Sequence, residues 1–248
     1  MPELPEAERA RAQIEKVLGR EIVAVDDRDT YVCRPHAPGE IADALIGHRL
    51  TKALRRGKFL WAETDDDGPE LGLHLGMAGK IVIDGEPHER WDRFVLEFAD
   101  GSRMALHDRR RLGRALINPD FDHVGPDAAL ISRDQFRERV GRGSMALKAR
   151  LLDQKSLSGV GNLLADETLW RARLSPERVS GELSEEELDH LRRVLRAATR
   201  AAIAKGGVHT GDFIKHRKRG APCPRCGTTV KRATIGGRTT FWCPNCQQ

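Results

Sequence analysis

The sequence predicts an α+β protein with a β-rich segment, then a helical segment, then a short tail that carries cysteines. Short apolar runs separated by Gly and Asp turns fill residues 21–117, which is typical of a β-sandwich or a barrel. Helical periodicity replaces this pattern from residue 131 onward. The chain has 248 residues, which is long enough for two domains without disulfide support.

An amphipathic helix precedes the β-rich segment. Pro5 suits the first position of a helix, and Gly19 supplies a stop. Between them, apolar residues recur at helical spacing: Ala7, Ala10, Ile14, Val17 and Leu18. The β-rich runs that follow are EIVAV, LTKAL, KFLWAET, LGLHL, KIVI, RFVLEFADG and RMALHD.

The helical segment contains four periodic stretches: SRDQFRERV, ALKARLLDQ, NLLADETLWRAR and SEEELDHLRRVLRAATRAAIAKGG. The last begins with a capping box, because Ser184 is followed three residues later by Glu187, and it ends in a Gly pair. The stretch VGPDAAL at 124–130 breaks the periodicity and indicates an interdomain link. We therefore expect domains at 1–125, 131–207 and 208–248.

Composition excludes a membrane-spanning protein. Hydrophobic residues make up 39% and charged residues 32%, and no run of about 18 apolar residues occurs. The first residues do not resemble a secretory leader, so we expect a cytoplasmic protein.

Charge is unevenly distributed along the chain. Residues 131–248 carry 23 basic and 12 acidic side chains, net +11, against net −6 for residues 1–130. Such a basic half fits a polyanion such as nucleic acid, or else a solvated surface.

Four of the five cysteines form two Cys-x-x-Cys pairs. Cys223 and Cys226 are separated by 16 residues from Cys243 and Cys246. Two such turns can supply four thiolates to one Zn²⁺, and a site with four protein ligands is structural. The alternative is two disulfides, which a reducing cytoplasm disfavours. Cys33 is left over, and we interpret it as a small apolar residue rather than a nucleophile.

The zinc would hold the intervening residues as a two-stranded hairpin. Lys231, Arg232 and Arg238 lie within it, where they could contact phosphates. A second possible anion site is the Gly159–Val160–Gly161 turn, since glycines allow close approach and Asn162 begins a helix whose N–H groups are free. The same pattern also fits an ordinary tight turn between helices.

Six segments resemble the formamidopyrimidine-DNA glycosylase and endonuclease VIII family. They are MPELPEAE at the start, RRGKFL at 55–60, LHLGMAGK at 73–80, HDRRRLGR at 107–114, LLDQKSLSGVGNLLADE at 151–167, and CPRCG with GGRTTFWCPNCQ at the end. The segments span the chain in the family's order. The resemblance implies an N-terminal β-sandwich bearing the catalytic helix, a helix-two-turn-helix domain and a C-terminal zinc finger.

The resemblance changes the interpretation of the first residues. On their own, Pro2 and Glu3 look like a loose terminus with a helix-capping acid. In the family the initiator Met is removed, and the exposed proline amine attacks C1′ of the damaged nucleotide, so the resemblance implies that Pro2 is the nucleophile. An α-amine has a pKa of about 7.7 to 8.0, so part of it is neutral at pH 7. A secondary amine also gives a cationic iminium, which promotes strand scission by β,δ-elimination.

Three more residues take catalytic roles by the same resemblance. Glu3 matches a carboxylate that protonates the sugar ring oxygen, a task that calls for an elevated pKa. Glu6 matches a second carboxylate near the reaction centre. Lys58 matches a lysine that reaches the phosphates of the damaged nucleotide.

Further residues match DNA contacts of the family. Met77, Arg110 and Leu112 match the residues that fill the gap left by the extruded base. Asn162 and Arg238 match two phosphate clamps.

The sequence departs from the family pattern in places. Leu112 replaces the Phe that is usual in enzymes specific for oxidised purines. Only 15 residues, 208–222, separate the Gly pair at the end of the last helical stretch from Cys223, too few for the loop that caps 8-oxoguanine. This shortening resembles endonuclease VIII, whereas HLGMAG resembles the purine-specific enzymes.

The resemblance implies a monomeric base excision repair enzyme with one structural Zn²⁺ and damaged double-stranded DNA as its partner, associated with the nucleoid when bound. The lesion could be an oxidised purine or an oxidised pyrimidine. Two other functions fit parts of the sequence: a non-catalytic protein that binds lesions or structured DNA, and an RNA-binding zinc ribbon.

Overall fold

The computed structural model describes residues 2–248, which divide into two compact units. The first unit contains Pro2 and Ala7–Phe121, and the second contains Glu3–Glu6 and Asp122–Gln248. Each unit has its own buried apolar core. Within residues 2–248, no helix is long and apolar enough to cross a membrane.

The predicted N-terminal helix is confirmed as α1, Leu4–Ile14, followed by a 3-10 turn at Glu15–Val17. The backbone N–H of Glu3 donates to the side chain of Glu6 at 2.9 Å. Glu6 is the third helical residue, so this contact is one half of a capping box. Of the apolar residues that predicted the helix, Leu18 is half-buried and the other four are buried, and the chain turns at Gly19, where φ is 77°.

The β-rich segment forms two antiparallel four-stranded sheets. One has the strand order β1-β6-β7-β5 and the other β2-β3-β4-β8. The strands are β1 Ile22–Asp26, β2 Leu50–Arg56, β3 Phe59–Thr64, β4 Leu71–His74, β5 Lys80–Ile83, β6 Asp92–Phe98, β7 Arg103–His107 and β8 Arg114–Ile117. Both sheets contribute to one core, to which Phe94 and Leu106 belong from one sheet and Leu60 and Leu73 from the other. The segment is therefore a β-sandwich.

The sequence patterns did not predict the short helix α2, Glu40–Leu45. Its start depends on the buried carboxylate of Asp27, which accepts the backbone N–H groups of Gly39, Ile41 and Ala42 at 2.7, 2.9 and 3.2 Å. Because this cap comes from twelve to fifteen residues away, no local N-cap signal precedes the helix.

The second unit is helical, as predicted. Its helices are α3 Arg133–Val140, α4 Leu147–Leu152, α5 Asn162–Ala172 and α6 Glu185–Lys205. The predicted capping box of Ser184 and Glu187 is present at the start of α6, and Ser132 and Gln135 form another on α3. Two 3-10 turns, Val208–Thr210 and Ile214–His216, follow α6.

The tail forms an antiparallel hairpin of β9, Lys231–Ile235, and β10, Arg238–Trp242. Its apolar face joins a small cluster that includes Trp170 of α5 and the buried Phe213. The hairpin thus packs within the second unit rather than standing alone.

Candidate functional site

The carboxylate of Glu3 accepts three backbone hydrogen bonds. Its side chain is buried and accepts the backbone N–H groups of Gly161 at 3.0 Å, Leu163 at 2.8 Å and Leu164 at 2.9 Å. These N–H groups belong to the start of α5, where a helix has no partners of its own for them. The sequence predicted an anion site at this turn, and the anion that the structure places there is Glu3.

Gly161 makes this contact possible. A Cβ built on Gly161 would lie 2.3 Å from Cδ of Glu3, so a larger residue here would displace the carboxylate from the helix start. The helix dipole and the three donors stabilise the ionised carboxylate.

Pro2 is half-buried and immediately precedes this carboxylate in the chain. The predicted removal of the initiator methionine concerns Met1, which lies outside the described residues. Glu6 uses its second carboxylate oxygen to accept the backbone N–H of Val208 at 2.7 Å, just beyond the end of α6. The side chain of Glu6 therefore connects the first turn of α1 to the segment after α6.

Lys58 lies at the turn between β2 and β3 and is half-buried. Its neighbour His74, at the end of β4, has no counterpart in the sequence prediction. Burial, and to a smaller extent the positive charge of Lys58, lowers the pKa of His74. The neutral imidazole accepts the backbone N–H of Gly76 through Nδ1 at 3.1 Å. The signal that could have identified His74 is its place within the LHLGMAGK motif, as the second residue of that segment.

Met77, Arg110 and Leu112 lie on two neighbouring turns of the first unit. A Cβ on Gly76, where φ is 57°, would lie 2.3 Å from the carbonyl carbon and oxygen of Leu112, so the two turns are in direct backbone contact. Met77 is 37% exposed, Arg110 is exposed and Leu112 is half-buried. The structure therefore brings together two turns that are distant in sequence.

The buried carboxylate of Asp108 shapes the second of these turns. It accepts three backbone N–H groups, those of Arg110 at 2.9 Å, Leu112 at 2.8 Å and Gly113 at 2.7 Å. Because one carboxylate satisfies successive donors along the turn, the backbone from 108 to 113 has a defined shape.

Asn162 and Arg238 lie on separate elements of the second unit. Asn162 begins α5, and its Oδ1 is buried with no hydrogen-bond partner among residues 2–248. Arg238 begins β10 and is exposed. Both therefore have polar atoms that the protein fold does not fully use.

A buried ion network joins the hairpin to α5. Nζ of Lys148 lies 2.6 Å from Oδ1 of Asp166 and donates to Oγ1 of Thr240 at 2.8 Å. The other oxygen of Asp166 accepts from Nε of Arg217 at 2.7 Å and from the backbone N–H of Phe241 at 3.2 Å. The network therefore holds β10 at Thr240 and Phe241, which are two and three residues after Arg238.

The four predicted metal ligands converge. The sulfur atoms of the two pairs all lie within 4.8 Å of one another. The indole Nε1 of Trp170 donates to the sulfur of Cys223 at 3.4 Å. Four close thiols with N–H donors around them suit one tetrahedral Zn²⁺ with no open coordination position.

Family comparisons agree with this architecture along the whole chain. The family model of the formamidopyrimidine-DNA glycosylase N-terminal domain matches residues 1–115, and that of the H2TH domain matches residues 124–213. The zinc finger found in FPG and IleRS matches residues 220–248. A formamidopyrimidine-DNA glycosylase of Nocardioides is 36% identical, covering all of this chain and 94% of the relative. The chain belongs to the formamidopyrimidine-DNA glycosylase family.

Other family members give the same result. A formamidopyrimidine-DNA glycosylase of Novosphingobium aromaticivorans is 36% identical over the full length of both proteins. A crystal structure of the Lactococcus lactis enzyme bound non-covalently to DNA with an abasic site superposes with a TM-score of 0.87 at 29% identity, covering 99% of each chain. A structure of MutM with DNA containing carbocyclic 8-oxoguanine gives 0.86 at 29% identity over all of both chains.

Family membership confirms the predicted zinc finger. Cys223, Cys226, Cys243 and Cys246 bind one structural Zn²⁺, and the disulfide alternative is wrong because the four cysteines are unbridged while their sulfurs all lie within 4.8 Å of one another. The fifth cysteine is separate. Cys33 is fully buried in the core of the first unit, and burial, with Asp27 and Asp29 nearby, raises the pKa of its thiol to about 12.

Proposed function

We propose that this chain is a bifunctional DNA glycosylase and abasic-site lyase of base excision repair that removes oxidised bases from double-stranded DNA. The observation that carries the proposal is the buried carboxylate of Glu3, held by three backbone N–H groups directly after Pro2. A disordered terminus would not place its carboxylate against Gly161, whose missing side chain leaves room for it. Membership of the formamidopyrimidine-DNA glycosylase family supports the same reaction.

Pro2 is the proposed nucleophile once Met1 has been removed. Its nitrogen forms a bond to C1′ of the damaged nucleotide, and the base leaves with the electron pair of the glycosidic bond and takes up a proton from water. The C1′–O4′ bond then breaks to give a cationic iminium. Loss of a C2′ proton expels the 3′ oxygen, loss of a C4′ proton expels the 5′ oxygen, and hydrolysis releases the amine.

Glu3 is the proposed proton carrier for these steps. Because its hydrogen bonds favour the ionised form, it begins as a base and accepts the proton that the Pro2 amine loses on bonding to C1′. The protonated carboxyl then donates to O4′ as the sugar ring opens. This order delivers the proton that the resemblance assigns to Glu3 without requiring a carboxyl that is neutral beforehand.

Lys58 and Glu6 assist in different ways. We assign Lys58 to the phosphates of the damaged nucleotide, and the neutral His74 beside it adds no competing positive charge. Glu6 is assigned a structural role near the reaction centre, since its two carboxylate oxygens hold the backbone at Glu3 and Val208.

Damaged double-stranded DNA is the partner, as the crystal structure of the Lactococcus lactis enzyme on abasic-site DNA supports. Met77, Arg110 and Leu112 would fill the space of the extruded nucleotide, and Asn162 and Arg238 would hold phosphates.

We further propose that the protein is a monomer without membrane attachment, placed in the cytoplasm and on the nucleoid when bound to DNA. Its proposed domains are 1–125, 131–207 and 208–248.

The test compares two forms of the protein on a duplex with one abasic site. One form has the correctly processed terminus, and the other carries an uncleaved N-terminal extension that blocks the Pro2 nitrogen. We expect the processed form to cleave the strand, leaving phosphates at both ends of the gap, and the extended form to bind without cleaving. Equal cleavage by the two forms contradicts the mechanism. Binding without cleavage by both would support a non-catalytic lesion-binding protein instead.

A further inference from the structure

The turn that carries Arg110 and Leu112 has an unusual residue between them. Arg111 adopts a left-handed backbone conformation with φ of 54°. L residues with long side chains rarely adopt this conformation, and they keep it only where the surrounding structure enforces it. Arg111 is not among the residues that the family resemblance assigns to the gap left by the extruded base, so its backbone conformation needs a separate explanation.

A bidentate ion pair holds Arg111 in place. Its Nε lies 2.9 Å from Oδ2 of Asp29, and its Nη2 lies 2.7 Å from Oδ1. The Asp29 side chain is only 9% exposed, whereas that of Arg111 is 47% exposed. The acidic partner is therefore fixed within the first unit, and it lies 82 residues earlier in the chain.

Asp29 is itself anchored on the side facing the turn. Nη1 of Arg93 lies 3.4 Å from Oδ2 of Asp29, and Nε of Arg93 donates to the carbonyl oxygen of Asp108 at 3.1 Å. Arg93 thus links the carboxylate of Asp29 to the first residue of the turn. Together with the hydrogen bonds inside the turn, the Asp29 carboxylate constrains both its start and its middle.

This geometry has a consequence for the residues on either side of Arg111. A change of φ at position 111 would rotate the backbone between Arg110 and Leu112 and redirect one side chain relative to the other. Side chains that enter the base stack of a nucleic acid must be held in position before binding, because disorder of these side chains slows base extrusion.

We propose that Asp29, acting through Arg111, is a positioning residue that sets the shape in which Arg110 and Leu112 enter the space of the extruded nucleotide. This role rests on the proposed glycosylase function. Asp29 touches neither the substrate nor the reacting atoms, so it affects base extrusion and not the later elimination chemistry.

The experiment uses Asp29→Asn and Arg111→Gly in the full, zinc-loaded protein. Asn retains an acceptor for the local turn but loses the charge, and Gly removes the guanidinium while relieving the backbone conformation. Asp26→Asn is the matched control, since Asp26 forms a bidentate pair with Arg28, which is 84% exposed.

Two substrates separate extrusion from chemistry. The first is a duplex with one formamidopyrimidine guanine, on which both variants should excise the base about tenfold more slowly or worse in single turnovers. The second is a single-stranded oligonucleotide with an abasic site, where no void forms, and cleavage should stay within about twofold of wild type. A 2-aminopurine opposite the lesion should show a smaller fluorescence rise with the variants than with the control.

The proposal is overturned if Arg111→Gly excises the base as fast as wild type, or if both variants lose cleavage of the two substrates in equal proportion. The latter result would indicate general damage to the fold. If the wild-type protein itself neither excises the base from the duplex nor cleaves the abasic strand, the proposed function fails, which is a distinct result.

Discussion

At the scale of single residues, Glu3 occupies the N-terminus of α5, a position that suits an anion. The start of α5 offers free N–H groups, and the chain supplies its own anion for them. The glycine turn predicted an anion site but could not predict that the anion came from 158 residues away. Recognising an internal partner needs the fold, because no local pattern links Glu3 to Gly161.

Glu3→Gln tests the carboxylate. The amide would turn N–H donors toward backbone N–H groups and would remove the proton acceptor, so we expect base excision to fall by about 100-fold or more. Single-turnover excision from a duplex measures this effect. Glu138→Gln, an exposed position on α3 in the same unit, serves as the control and should excise the base at the wild-type rate. Comparable rates for Glu3→Gln and wild type would remove Glu3 from the reaction.

Cys33 is expected to be chemically inert in the folded protein. Its pKa of about 12 leaves the thiol protonated at any pH up to about 10, and burial excludes reagents. Iodoacetamide at pH 8 should leave Cys33 unmodified in the native zinc-loaded protein and modify it after unfolding in guanidinium chloride. Peptide mapping by mass spectrometry reads the result. Rapid modification of Cys33 in the folded protein would contradict the interpretation of this residue.

At the scale of elements, α5 connects two functional regions of the second unit. Its first residues bind the Glu3 carboxylate, and Asp166 in its middle binds Lys148 and Arg217 beneath the hairpin. Local signals predicted the helices themselves, including the capping box of α6, because those signals lie within a few residues. They missed α2 and this network, because both depend on residues distant in sequence.

Asp166→Ala tests the network. The change would leave the fully buried Lys148 without its anionic partner, so we expect the free energy of unfolding of the second unit to fall by about 3 to 5 kcal/mol. Urea unfolding followed by tryptophan fluorescence reports it, since Trp170 lies in the adjacent cluster. Asp134→Ala removes an exposed pair with Arg133 and should change the free energy by less than about 0.5 kcal/mol. Equal effects of the two changes would show that the network adds no stability.

At the scale of the whole molecule, the net charge and the order of the motifs indicated the function, whereas the predicted secondary structure indicated only the fold class. The basic second half of the chain, net +11, agrees with a nucleic-acid partner. The zinc ligands were predictable because their spacing alone encodes a metal site. The proposed role of Asp29 was not, since a single Asp in a β-rich segment carries no signal before the sheets are assembled.

Arg238→Ala tests how the basic half binds DNA. If Arg238 holds a phosphate, its loss should weaken binding to damaged and undamaged duplexes alike and reduce the slope of log affinity against log salt by about 1. Fluorescence anisotropy at several salt concentrations measures both. Arg28→Ala, at an 84% exposed position of the first unit, is the control and should leave the slope unchanged. An unaltered slope for Arg238→Ala would remove this residue from the phosphate contacts.

The most direct test of the central claim is to identify the atom that becomes bonded to DNA. The processed protein is mixed with a duplex containing one abasic site in the presence of sodium borohydride, and the reduced complex is digested and mapped by mass spectrometry. We expect a stable adduct in which the sugar remnant is attached to the nitrogen of Pro2. Attachment at a lysine such as Lys58, or no adduct while the strand is still cleaved, would contradict the account.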